Sequence, residues 1–193
     1  MVLTYLIIAF VLFLVVIFVF QNYKHNEQFV TSRIDGRKYL VSDMEYKQLA
    51  ADILAMTRKR LVSFCKKMEE RHPKDDRIKR LNQKFDPNNI VETEQSSNYT
   101  SYSINKGEKM VLCLRSRDGQ NRLVKQNILM FVALHELAHI CTLSVGHTDE
   151  FWNNFEFLLE EAIKYGYYED VDFNNDNYDY CGIKITDSPL KKR

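Results

Sequence analysis

Three histidines and a glutamate fall close together in the stretch HELAHICTLSVGH: His135, Glu136, His139 and His147. His135 and His139 are four residues apart, so on a helix both imidazoles leave from one face. Two neutral imidazole nitrogens at that spacing can bind one Zn²⁺ at about 2.0–2.1 Å. Glu136 follows the first of them, and its carboxylate can flank the metal without ligating it. Zinc lowers the pKa of a bound water toward about 7, and a neighbouring carboxylate can take the proton. The chemistry this pattern would perform is attack of that water on a carbonyl polarised by the metal, with Glu136 as general base.

A catalytic zinc takes three protein ligands and keeps one position open. Gly146 ends the helical pattern, the chain can turn back there, and His147 follows as the natural third ligand. The alternative is a carboxylate from the next helix, Glu150, Glu156 or Glu160. Asp149 reads either as a carboxylate that orients a ligand imidazole or as a plain acid in the first turn of a helix. The surroundings add weight to the metal reading. LMFVALHELAHICTL is apolar, and burying two histidines and a glutamate there without partners would cost several kcal/mol. A metal, or else a satisfied metal-free polar cluster, has to compensate.

The elements that must position these groups are legible around them. The run from about Leu123 to Leu143 lacks Pro and Gly and is apolar on most sides, which predicts a buried helix. Thr148 can cap a further helix from Asp149 to about Tyr165, with Phe151, Trp152, Phe155, Leu158, Leu159 and Ala162 on its apolar face. Upstream, Ser42-Asp43-Met44-Glu45 reads as a capping box before a helix whose apolar positions include Leu49, Ile53, Leu61, Phe64, Cys65 and Met68. A shorter helix is predicted from Asp75 to Lys84. Asp86-Pro87-Asn88-Asn89 reads as a turn. Strands are predicted at Ile90–Glu94, Thr100–Ile104 and Lys109–Arg115, with Asn105-Lys106-Gly107 turning between the last two. Short extended pieces fit KYLVS and GIKIT. If Lys109–Arg115 is a sheet edge beside the metal, an extended peptide could pair with it; an interior strand is the other reading. A transition-state oxyanion wants a donor besides the metal, and Tyr167, Tyr168, Tyr178 and Tyr180 are candidates, with ordinary packing the plainer role for each.

The chain of 193 residues suits one domain plus an appendage. The appendage is VLTYLIIAFVLFLVVIFVF, residues 2–20, which carries no charge. As a helix it would reach about 28 Å, close to the hydrocarbon thickness of a bilayer. No basic residue precedes it and no small-residue cleavage site follows, so it reads as an uncleaved anchor over residues 1–21. Lys24, Arg33, Arg37 and Lys38 come after it, in a juxtamembrane linker over residues 22–41. The excess of positive charge there places the following domain, residues 42–193, on the cytoplasmic side or the equivalent face of a virion membrane.

The net charge of +1 hides an asymmetry. Arg58 to Lys84 is strongly basic and Asp149 to Asp179 strongly acidic. Two solvated faces that attract each other is the plain reading; a phosphate-binding face toward lipid or nucleic acid is the sharper one. Cys65, Cys113, Cys141 and Cys181 form no CxxC pair and show no disulfide framework, which favours reduced thiols.

From Leu134 to Phe155 the chain resembles the WLM and SprT-like zincin metallopeptidases. HELAH at residues 135–139, then GHTDEF at 146–151 with its HxxxF spacing, carry the resemblance, and RIKRLNQKFDP upstream fits it. Small anchored proteins of this kind occur in large DNA viruses. The resemblance implies an α+β zincin-like domain, with a small antiparallel or mixed sheet and an active-site helix, after one N-terminal transmembrane helix. It implies a zinc-dependent endopeptidase with His135, His139 and His147 on the metal and Glu136 as base. Its members include proteases that cut protein crosslinked to DNA. No Met follows Met130, so a metzincin Met-turn is absent. Three readings follow. The first is a membrane-anchored zinc endopeptidase acting on protein or peptide. The second is an inactive zinc-binding interaction module at a membrane. The third is a nucleic-acid-associated protease that uses Arg58–Lys84.

Overall fold

A computed structural model describes residues 2–22, 27–173 and 178–190. The elements in chain order are α1 (Val2–Asn22), β1 (Glu27–Thr31), β2 (Lys38–Ser42), α2 (Lys47–Arg71), α3 (Asp76–Lys84), β3 (Ile90–Glu92), β4 (Tyr102–Ile104), β5 (Lys109–Leu112), α4 (Gln126–Cys141), α5 (Asp149–Lys164), β6 (Tyr178–Tyr180) and β7 (Ile183–Ile185). This is a mixed α+β architecture with small sheets, as the motif-bearing residues led one to expect.

The stretch expected to anchor the chain is helical throughout α1. Among the described residues no helix is long and apolar enough to cross a membrane. Several α1 side chains, and Lys24 with the rest of residues 23–26, lie outside the described set.

The linker expected over residues 22–41 is largely structured. β1 and β2 form an antiparallel hairpin with Phe29 opposite Leu40. Tyr39 and Val41 enter the core. The buried carboxylate of Asp52 on α2 ties the hairpin down, accepting from Ser32 Oγ at 2.8 Å and the Arg33 N–H at 2.7 Å. The capping box expected at Ser42–Glu45 does not form. α2 begins later, after Tyr46 in a left-handed conformation with no side-chain cap. Ser42 instead closes β2, and its N–H donates to Glu92 Oε2 at 2.8 Å. The same carboxylate meets Arg115 Nε at 2.8 Å, and both side chains are fully buried. α3 starts as expected, with the Asp75 side chain accepting from the Arg77 N–H.

The central sheet has the order β3-β5-β4. β3 runs parallel to β5 and β4 antiparallel to it. Lys109–Leu112 is therefore the interior strand, with β3 at one edge and β4 at the other. Both outer strands pair onto β5 because its residues Met110, Val111 and Leu112 are apolar and buried on both faces. β4 turns into β5 through Asn105, Lys106 and Gly107, all at positive φ. Gly107 is obligatory: a Cβ there would lie 2.5 Å from the Lys84 carbonyl oxygen at the end of α3.

α4 passes through the middle of the core, with α2, α3 and α5 packed around it. The final strand expected at GIKIT is present as β7 and pairs with β6. The thiols depart from expectation. Cys113 and Cys181 form a disulfide, with Cα atoms 6.4 Å apart. Cys113 continues inward from β5, and Cys181 occupies the left-handed turn between β6 and β7, so the hairpin carries its sulfur to the sheet. Cys65 and Cys141 are free and buried.

Candidate metal centre

α4 presents His135 and His139 one turn apart on a single face. Their Nε2 atoms lie 3.2 Å apart. The helix ends at Cys141, and Gly146 at φ +85° lets the chain double back. His147 then swings over, its Nε2 3.1 Å from that of His135. Thr148 starts α5 at once by accepting from the Phe151 N–H, so the loop between ligands and helix is short. One ring nitrogen from each of the three histidines falls within 4.8 Å of the others, a group that could hold a metal ion.

The donor set fits zinc. Tetrahedral geometry with Zn–N bonds of about 2.0–2.1 Å separates ligand nitrogens by about 3.3 Å. The two spacings from His135, 3.1 and 3.2 Å, are close to that value, and all three nitrogens lie within 4.8 Å of one another. Burial, then the neighbouring His139 and His147, pushes His135 down to about 3. Burial, then His147 and Lys106, pushes His139 down to about 4. Both rings are therefore neutral near pH 7, the form that ligates. Phe151 forms the floor beneath all three, with its ring 4.8 Å from His135, 4.3 Å from His139 and 4.7 Å from His147.

Glu136 lines a cleft of about 460 Å³ together with the three histidines, Ser103 and Val145. It is 4% exposed. Burial raises its pKa to about 7, against hydrogen bonds from the Ser103 hydroxyl and backbone that lower it. Ser103 lies on β4, so the strand holds the carboxylate directly at one wall of the cleft.

The remaining candidates are placed as follows. Glu150 does not point at the imidazoles; its carboxylate accepts from the Leu143 N–H at 2.9 Å and the Ser144 N–H at 3.0 Å. Glu156 lines a separate depression with Trp152 and Asp187. Glu160 and Asp149 are exposed on α5. Tyr180 is buried, with its hydroxyl 2.7 Å from Ser101 Oγ and donating to the Cys113 carbonyl at 2.9 Å. Tyr178 packs edge-on to Phe173, Tyr168 packs on Phe131, and the Tyr167 hydroxyl meets Ser63 Oγ. In the basic stretch, Arg58 bonds the Pro87 carbonyl, Arg77 bonds Asp75 and Asn154, and Arg80 bonds the Cys141 carbonyl. His72 pairs with Glu161 at 2.8 Å, so the basic and acidic stretches do meet. Reading the sequence missed Ser103 and the hydrogen-bonding role of Glu150. Neither has a local signal, since each depends on a partner in another element.

An α+β domain with three convergent imidazoles, two of them on one helix beside a buried glutamate and the third from the loop that follows, belongs to a recognisable class, and comparison places it. Residues 47–189 match the WLM domain, and the chain belongs to that family, which is related to metallopeptidases. An uncharacterized protein of Acanthamoeba polyphaga mimivirus is 31% identical over 196 residues, covering 97% of this chain and 99% of its own. An uncharacterized protein of Invertebrate iridescent virus 3 is 43% identical over 81 residues, 42% of this chain and 46% of its own. Among solved structures, Wss1 from Saccharomyces cerevisiae superposes with a TM-score of 0.48 at 22% identity, over 63% of this chain and 84% of that one.

Proposed function

We propose that this protein is a membrane-anchored, zinc-dependent endopeptidase. The observation that carries the reading is the convergence of the His135, His139 and His147 ring nitrogens beside the buried carboxylate of Glu136. The three imidazoles would hold the ion. Bound there, zinc supplies Lewis acidity, which polarises the scissile carbonyl and makes water nucleophilic near neutral pH. Glu136 takes the proton of the attacking water and returns it to the leaving amine. β4 lies at an outer edge of the central sheet beside the cleft, and an extended peptide laid along it would bring its scissile bond to the imidazoles.

The full chain, purified in detergent, should carry about one zinc and cleave an unfolded protein. Chelation should stop cleavage and added zinc restore it. Zinc far below one per chain would reject the site, and bound zinc without turnover would leave the inactive binding module. Exposed Lys59, Lys66, Arg71, Lys74 and Lys84 support the nucleic-acid reading. DNA-stimulated cleavage that falls steeply with salt is its signature.

The anchor reading rests on the uncharged residues 2–20 and the helix that contains them. The protein should stay with membranes through alkaline carbonate washing, and a chain lacking residues 1–21 should be released. The positive residues after α1 favour the cytoplasmic side, and a disulfide favours oxidising surroundings.

A further inference from the structure

The loop that carries His147 has little apolar reason to hold its shape. Leu143 is 69% exposed and Val145 86%. It also follows the C-terminus of α4, where the last carbonyls lack helical partners and the helix dipole is negative. Lys106, from the turn that ends β4, reaches across to this spot. Its ammonium donates to the carbonyls of Thr142 at 2.6 Å, Leu143 at 3.0 Å and Ser144 at 2.8 Å. An ammonium has three N–H donors, and these contacts use all three. Glu150 grips the same segment from the opposite side. Its carboxylate takes the Leu143 and Ser144 N–H groups and the Ser144 hydroxyl at 2.7 Å. The Leu143 and Ser144 peptides thus have a cation on their carbonyls and an anion on their N–H groups.

We propose that Lys106 and Glu150 are positioning residues that clamp residues 142–144 and so hold His147 at the imidazole cluster. Lys106 is itself fixed, because Gly107 beside it is seated against the Lys84 carbonyl. The clamp joins the turn of the edge strand to the third ligand, so the peptide-binding edge and the metal site share one support. With its three donors committed, Lys106 has none left for a substrate carboxylate, which suits cleavage within a chain rather than at its end.

The inference rests on the metal reading, and two measurements on the full chain in detergent separate them. In the metal-free protein, hydrogen exchange at the Leu143 and Ser144 amides should speed up at least roughly tenfold in Lys106→Met. Protection from Phe131 to Leu137 should be unchanged. Unaltered exchange at those two amides overturns the clamp, whether or not zinc binds. The second measurement is zinc affinity, by competition with a chromophoric chelator. Lys106→Met and Glu150→Gln should each weaken binding about 10–100-fold, as loss of groups that orient ligands does. On a His147→Ala background Lys106→Met should change nothing further, since the clamp acts through His147. An equal loss on that background would show a general structural effect and overturn the proposal. A wild-type chain without zinc would sink the metal reading and leave exchange to judge the clamp.

Discussion

Glu136→Gln should keep its zinc and lose peptide hydrolysis by roughly 10²–10⁴-fold in kcat/KM, the range that a positioned general base contributes. The substitution is nearly isosteric, and the amide can still accept from Ser103, so the cleft should keep its shape. What it removes is the ability to take a proton from water. Retained zinc with full activity would assign the base elsewhere. The same substitution carries a stability signature in the metal-free protein. Burial raises the folded pKa of Glu136 to about 7 from an ordinary carboxylate value of 4.5. The folded state then binds more protons than the unfolded one between those values, so stability falls as pH rises from 4.5 to 7. The shift corresponds to about 3 kcal/mol at the upper end. Glu136→Gln abolishes this penalty, so its melting advantage over wild type should grow between pH 4.5 and 8. A difference that stays constant with pH would mean the carboxylate ionises in the fold without cost.

Loss of the Cys113–Cys181 bridge should destabilise the domain by about 4 kcal/mol, the chain-entropy value for so long a loop. The two cysteines are 68 residues apart, and the segment between them contains α4 and α5 entire. The Cys113→Ser, Cys181→Ser chain should melt roughly 10 °C lower than the oxidised protein. Wild type under strong reductant should follow it. Near-identical melting of oxidised and reduced protein would show that the bridge does not constrain the unfolded chain. The effect should also reach the cleft. Cys113 accepts from the Tyr180 hydroxyl, which in turn meets Ser101 at the start of the edge strand.

What could be read in advance depended on whether a feature was local. The His135–His139 spacing is set by the helical period, and Gly146 followed by Thr148 announces the turn and the new helix around His147. These were legible because each rests on residues within a turn or two of one another. Ser42 to Glu45 has the letters of a capping box, yet the Ser42 N–H goes to Glu92, fifty positions away. A tertiary partner displaced a local one. β1 was hidden for a related reason. EQFVT is short and polar, and it becomes a strand only because KYLVS pairs with it. Whether Lys109–Leu112 lay at the edge or the middle of the sheet depended on which strands joined it. The disulfide and the Lys106–Glu150 clamp likewise unite residues that no spacing rule connects.

Four residues separate the end of α1 at Asn22 from the start of β1 at Glu27. Fully extended, five steps of chain span about 17 Å. Under the proposed anchoring of α1 in a bilayer, that length would be a leash, keeping the hairpin within about that distance of the headgroup layer. The proposed peptidase would then work within a thin shell over the membrane surface. Its choice of target would be set by which chains enter that shell as much as by the sequence they present to the cleft.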